Sequence, residues 1–157
     1  MHIRRAVQDE SRLLSDLAYR SKGYWNYGND YMVAARRDLT ISPAEIVENH
    51  VFVLEHCKNI IGFYELKEQN SQETELLWLF IDPSAIGEGY GKKLWNHAVQ
   101  AAWAGRYKRI KIKSDPYAER FYLKQGAQRV GEIPSTVQPD LMFPLLYLNR
   151  ETLDDLC

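Results

Sequence analysis

A single α/β (α+β) domain is the expected fold, on three grounds. The first is Leu76 to Ile81, an unbroken apolar run of strand length that Asp82-Pro83-Ser84 ends with turn chemistry. The second lies immediately after it: glycines at 87, 89 and 91, then Leu94, Ala98 and Ala101 or Ala102 at helical spacing, with Gly105 as the stop. The third lies upstream, where His50 to Glu55, Ile60 to Lys67 and Glu73 to Ile81 are separated by short polar turns, the pattern of an antiparallel meander.

At 157 residues, 45% hydrophobic and 26% charged, the chain suffices for one core without metal or disulfide support, so the expected domain spans residues 1–157. A net charge of -1 carries no nucleic-acid footprint. The N-terminal stretch has no apolar signal region, and nowhere is there a continuous apolar run of membrane-spanning length, so no membrane is expected. Cys57 and Cys157 are far apart and have no partner thiol or metal-ligand spacing, which predicts no metal and a reducing, cytoplasmic compartment. Cys57 also has no identifiable base and is a poor nucleophile candidate.

In chain order, His2 to Val7 reads as a strand. Asp9 or Ser11 can then cap a helix with Leu13, Leu14, Leu17 and Ala18 on one side. Residues 21–31 read S-K-G-Y-W-N-Y-G-N-D-Y, a turn-rich segment dense in aromatic rings. Tyr31 to Asp38 makes a second short helix, and Ser42-Pro43-Ala44-Glu45 starts a third by the N-cap and Pro-at-N1 rule. The meander comes next, with Gly62 early in its second strand and hairpin connections at Cys57-Lys58-Asn59 and Asn70-Ser71-Gln72.

Beyond the central helix, Lys108 to Lys113 alternates so that Ile110 and Ile112 share one face and the lysines face solvent. Ser114-Asp115-Pro116 caps another helix with Ala118, Phe121 and Tyr122 inward and Gly126 at its end. The tail reads as a loop from Ile133 to Pro139 and a last strand from Leu141 to Leu148, with Pro144 marking an edge or a bulge.

Glycines at alternate positions let a ligand approach the backbone, and a helix N-terminus adds unpaired N–H groups and a positive dipole end, a combination that binds phosphate. Ile86 and Lys93 stand where a P-loop needs Gly and Ser or Thr. Lys92 or Leu94 stands where a dinucleotide fingerprint needs its third Gly. Gly87-Glu88-Gly89-Tyr90-Gly91 instead resembles the acetyl-CoA pyrophosphate loop of the GCN5-related N-acetyltransferase (GNAT) superfamily. The family's leading Arg or Gln falls on Ile86, a departure. A second stretch, D-P-Y-A-E-R-F-Y-L-K-Q-G-A from Asp115 to Ala127, resembles the family's Asn-initiated helix motif, with Asp115 for the usual Asn.

The resemblance implies a GNAT fold, a mixed and mostly antiparallel sheet of about seven strands with about four helices. It implies acetyl-CoA as cosubstrate, held through the backbone of Leu79, Phe80 and Ile81, through Ile86, Gly87, Glu88, Gly89, Tyr90, Gly91 and Lys92, and beside Asp115 and Tyr122. Tyr122 matches the tyrosine that lies close to the CoA sulfur in many members and is the candidate general acid. Glu75 falls where some members carry a glutamate base. Tyr24 and Trp25 are the candidate walls of an acceptor pocket, amphipathic rings that could equally pin the loop to the core. The expected activity is N-acetyl transfer to a primary amine on a small molecule, a peptide N-terminus or a lysine, with a homodimer left open. The alternative is a non-catalytic acyl-CoA-binding regulatory module, motivated by Ile86.

Overall fold

Seven strands and five α-helices form among residues 1–151, the residues that the computed structural model describes. In order they are β1 (His2–Arg5), α1 (Ser11–Gly23), α2 (Asn29–Ala35), α3 (Pro43–Glu48), β2 (His50–His56), β3 (Asn59–Glu68), β4 (Glu73–Ile81), α4 (Tyr90–Ala104), β5 (Arg109–Lys113), α5 (Glu119–Lys124), β6 (Gln128–Pro134) and β7 (Met142–Asn149). The sheet order is β1-β2-β3-β4-β5-β7-β6. The β4–β5 pair is parallel, whereas β1–β2, β2–β3, β5–β7 and β6–β7 are antiparallel. A parallel neighbour cannot be reached by a hairpin, and α4 supplies the crossover. The seven mostly antiparallel strands match the expectation; there is one helix more than the four or so anticipated.

The chain forms two compact units, Met1–Leu66 with Trp78–Ala98, and Lys67–Leu77 with Val99–Cys157. In the first, α1 buries Leu14, Leu17, Ala18 and Ser21, whereas Leu13 is 46% exposed. At ~100° per residue, position 13 falls off the arc that the other four share. Neither Asp9 nor Ser11 caps this helix. The chain enters through a 3₁₀ turn, Gln8–Glu10, where the Glu10 carboxylate accepts the Val7 N–H at 2.9 Å and the Arg4 guanidinium at 2.6 Å. The second helix begins at Asn29, two residues before the Tyr31 start read from the sequence, because Gly28 supplies a positive-φ N-cap with φ 84°. Ser42 caps α3 as anticipated, its Oγ accepting the Glu45 N–H at 3.1 Å.

The β2–β3 hairpin turns at Cys57 and Lys58, both with positive φ (50° and 64°), the geometry that a two-residue primed turn demands. Gly62, on β3, has no room for a side chain. A Cβ there would stand 2.7 Å from Ile81 Cδ1, 2.9 Å from the Phe80 carbonyl oxygen and 3.0 Å from Leu94 Cδ1.

In the second unit, Asn70 Oδ1 accepts the Gln72 and Glu73 N–H groups at 2.8 and 3.0 Å, setting the turn into β4. The lysine face of β5 is not simply solvated. Register places Glu73 beside Arg109 and Glu75 beside Lys111, and the Arg109 guanidinium lies 2.6 Å from the Glu73 carboxylate. Alternation on two strands therefore matches acid to base on one face and Thr74 and Leu76 to Ile110 and Ile112 on the other.

The structure departs from three further expectations. The fifth helix starts at Glu119, not at the Asp-Pro, because Asp115 closes a turn in which its Oδ1 accepts the Tyr117 N–H and its carbonyl the Ala118 N–H. The segment Gln128–Pro134 is a strand with five exposed residues, and its Gly131 and terminal Pro134 hide it from a pattern search. Finally, β7 is an interior strand, not an edge, although the bulge offered as the alternative is matched by a register shift between Arg129 and Gly131 in its ladder with β6. Pro144 is tolerated because it lies past the β5 ladder, which ends at Lys113↔Leu145, and its carbonyl accepts the Ser114 N–H at 2.9 Å.

Candidate active site

The glycine loop lies wholly in the first unit. Leu77–Ile81 continue β4 after its register with β5 has ended at Leu76↔Ile112, and all five side chains are partly exposed. That segment is apolar and lies beyond the β5 register, so backbone groups along that edge have no β5 ladder to satisfy them. Leu79, Phe80 and Ile81 stand in it. Phe80 packs against Phe63 and Trp78 with ring centroids 6.0 and 5.6 Å away.

Asp82 then ends the strand. Its N–H donates to the Ile61 carbonyl at 2.8 Å, and its Oδ1 accepts the Ser84 N–H and hydroxyl at 3.1 and 2.8 Å, which sets the 3₁₀ turn Pro83–Ala85. Burial pushes the Asp82 carboxyl up, but the Arg20 guanidinium and the Ser84 donors outweigh it and hold the group below the usual carboxylate range. Ile86 is extended and half-buried. Gly87 and Gly89 come next with φ of 89° and 84°, and nothing lies within 4 Å of where either would carry a Cβ. Glu88 between them is exposed.

Tyr90 opens α4, with Gly91 and the exposed Lys92 in its first turn. The Lys93 N–H is the first to find an intrahelical partner, the Gly89 carbonyl at 3.4 Å. The N–H groups before it face the loop at the positive end of the helix dipole. An anionic ligand fits this construction: open left-handed glycines and a helix N-terminus whose first turn carries the exposed Lys92. Leu79, Phe80, Ile81, Ile86, Gly87, Glu88, Gly89, Tyr90, Gly91 and Lys92 all lie on this strand–loop–helix stretch, each at least partly exposed.

Tyr24 and Trp25, also in this unit, come directly after α1. Their rings meet edge to face at 5.0 Å, Tyr24 being 53% exposed. Beside them the Lys22 ammonium lies over the Tyr27 and Tyr31 rings at 4.5 and 5.8 Å. Sequence reasoning missed Arg20, whose Nη2 donates to Asp82 Oδ2 at 2.6 Å; a lone arginine on a helix carries no signal of a partner 62 residues away. It also passed over Gly62 as a site determinant.

Tyr122, Asp115 and Glu75 belong to the second unit. The Tyr122 side chain on α5 is buried, and burial together with the nearby Asp115 charge pushes its phenol well above the ordinary tyrosine range. It therefore stays protonated at neutral pH. Glu75 is buried within β4, not at a solvated strand end, and its Oε1 lies 3.7 Å from the Lys111 ammonium and 3.9 Å from that of Lys113. Among the described residues no cluster of three or more His, Cys, Asp and Glu could hold a metal. No described helix is long and apolar enough to cross a membrane. Cys57 is exposed, and Cys157 lies outside the described residues.

The acetyltransferase (GNAT) domain family matches residues 18–135, three-quarters of the chain and both glycine-bearing motifs. The chain belongs to the GNAT acetyltransferase family. It is an acyltransferase by that membership. This GNAT domain is 28% identical over 134 residues to the 5-NmdU N-acetyltransferase of Pseudomonas phage PaMx11, covering 83% of this chain and 89% of the relative.

Its fold is that of the PaiA N-acetyltransferase of Thermoplasma acidophilum, solved in complex with coenzyme A. The TM-score is 0.79 at 18% identity, over 94% of this chain and 98% of the other. It is also that of an aminoglycoside 6'-N-acetyltransferase complexed with coenzyme A, with a TM-score of 0.69 at 15% identity over 95% and 97% of the two chains.

Proposed function

We propose that this GNAT domain transfers acetyl from acetyl-CoA to a primary amine by direct attack. The observation that carries the reading is the run from Leu77 to Lys92: an extended strand edge, two open left-handed glycines and the start of a long helix, in the order an extended diphosphate ligand requires. Coenzyme A is the ligand in the PaiA and aminoglycoside acetyltransferase structures, which supports the same choice here.

When bound, acetyl-CoA supplies a thioester carbonyl and a thiolate leaving group. The backbone of Leu79 and Ile81 pairs with the amides of its extended arm, and a backbone N–H of the same strand edge, near Phe80, is the donor for the oxyanion that develops on the carbonyl. The loop N–H groups and Lys92 neutralise the diphosphate. The amine nitrogen attacks, the C–N bond forms, the C–S bond breaks with its electron pair going to sulfur, and the second proton shed by the nitrogen passes through water to the thiolate. Tyr122 donates its hydroxyl proton toward that sulfur. Because its phenol is held above its ordinary range, full transfer to a thiolate is uphill, so Tyr122 acts chiefly as a hydrogen-bond donor. Glu75 takes the ammonium proton through water, its carboxylate kept in place between Lys111 and Lys113. Tyr24 and Trp25 wall the acceptor.

The acceptor is an amine on a small molecule or peptide; the phage relative's name adds 5-NmdU as a specific case to try. A panel of amines, 5-NmdU included, followed by free-thiol release from acetyl-CoA, tests the reading. Turnover with at least one amine is expected. Tight CoA binding with no turnover across the panel would favour a regulatory acyl-CoA-binding module, the reading that Ile86 at the family's polar position motivates. The domain is proposed to act as one unit of 1–157, in the cytoplasm, with the homodimer to be read from its mass in solution.

A further inference from the structure

Two segments of the first unit that sequence keeps far apart meet at a single carboxylate. Arg20 lies in the last turn of α1, and its carbonyl accepts the Tyr24 N–H at 3.1 Å; Trp25 donates its N–H to the Lys22 carbonyl at 3.3 Å. The orientation of the Tyr24–Trp25 pair is therefore set by that turn. Asp82 lies at the other end of the contact and directs its two oxygens to different tasks. Oδ1 holds Ser84 and so the turn into Gly87, whereas Oδ2 accepts the Arg20 guanidinium at 2.6 Å. The Asp82 backbone is itself fixed to β3 through Ile61. Arg20 is half-exposed, and ion pairs of that kind contribute little to global stability. The consequence of this one is local, because it joins the start of the glycine loop to the foot of the aromatic segment.

We propose that Arg20 and Asp82 form a positioning link through which occupation of the glycine loop orders residues 24–26, so that cofactor and acceptor bind cooperatively. The proposal rests on the function assigned above. Arg20 touches neither substrate; it acts through Asp82 on one side and the α1 terminus on the other. By reciprocity, an acceptor seated on Tyr24 and Trp25 must tighten cofactor binding by the same factor that the cofactor tightens acceptor binding.

Amide hydrogen exchange of the full chain, with and without saturating coenzyme A, tests this. In the parent, coenzyme A should slow exchange at least tenfold both at residues 82–93 and at residues 20–28. In Arg20→Ala the response at 82–93 should persist while that at 20–28 falls to less than twofold; Arg20→Lys should restore part of it. Asp82→Asn keeps an oxygen for Ser84 and should lose the 20–28 response as Arg20→Ala does. A purely structural salt bridge would instead alter exchange at 20–28 equally with and without coenzyme A, leaving the response unchanged, and that outcome overturns the proposal. So does a parent that responds at 82–93 but not at 20–28. A parent with no response at 82–93 overturns the cofactor reading itself.

Discussion

Tyr122 and Tyr64 both bury a phenol, and the same physics gives each a different use. Burial raises both above the ordinary range, with the Asp115 charge adding to the effect at Tyr122. The Tyr64 hydroxyl is spent on His97 Nδ1, 2.7 Å away, and burial pushes the pKa of that imidazole down so that it remains neutral. Tyr122→Phe keeps the ring that packs on α5 beside Phe121, and it should lower kcat by about 10²-fold while acetyl-CoA affinity is nearly kept, the low end of general-acid effects because a thiolate leaves tolerably unaided. Loss of stability with kcat intact would make it a core residue only. A folded-state value raised above the unfolded one means that stability is full below the unfolded phenol pKa of about 10 and is lost as pH rises toward the folded value. Denaturation titrated above pH 10 should therefore show a steep alkaline limb, shallower in Tyr122→Phe and again in Tyr64→Phe.

At the scale of elements, two glycines near the strand–loop–helix unit make opposite demands. Gly89 has open space and a φ of 84°, so a valine there meets no neighbour but is held in a conformation that a β-branched residue avoids, and its methyls stand where a phosphate would approach. Gly89→Val should keep its circular-dichroism spectrum and lose coenzyme A binding by calorimetry. Gly62 has an ordinary backbone and no space. In Gly62→Ala the tips of Ile81 and Leu94 can swing aside, but the Phe80 carbonyl 2.9 Å away is backbone and must move. That variant should lose roughly 1–3 kcal/mol in urea unfolding, as overpacked sites do, and its kcat/KM should fall because the displaced strand segment carries the oxyanion donor near Phe80. Unchanged kinetics in a destabilised Gly62→Ala would take the strand backbone near Phe80 out of the mechanism.

For the whole molecule, a ligand that binds only the folded chain stabilises it by mass action. At a hundredfold excess over Kd the gain is about 2.7 kcal/mol, which for a domain of this length raises the melting midpoint by roughly 5–10 °C. Acetyl-CoA should produce that shift in a thermal scan. A midpoint that does not move, together with a silent calorimeter, would contradict the reading of the loop.

The central unit and the family are legible in consecutive residues. Apolar runs, turn chemistry and glycine spacing are local signals, so β4, the loop, α4 and its Gly105 stop can be read directly, as can the Ser42 cap and the Cys57-Lys58 hairpin. Whatever depends on residues distant in sequence had to wait for the folded chain. Glu75 is read as a candidate base from the resemblance alone, and only the fold brings Lys111 and Lys113 of β5 beside it. Pro144 signals an edge or a bulge, and the end of the β5 ladder shows why an interior strand accepts it. Strand β6 is invisible locally because exposure, Gly131 and Pro134 erase its alternation, and pairing with β7 alone makes it a strand. Arg20 has no motif at all; its meaning lies in a carboxylate 62 positions on, and periodicity carries no information across that distance.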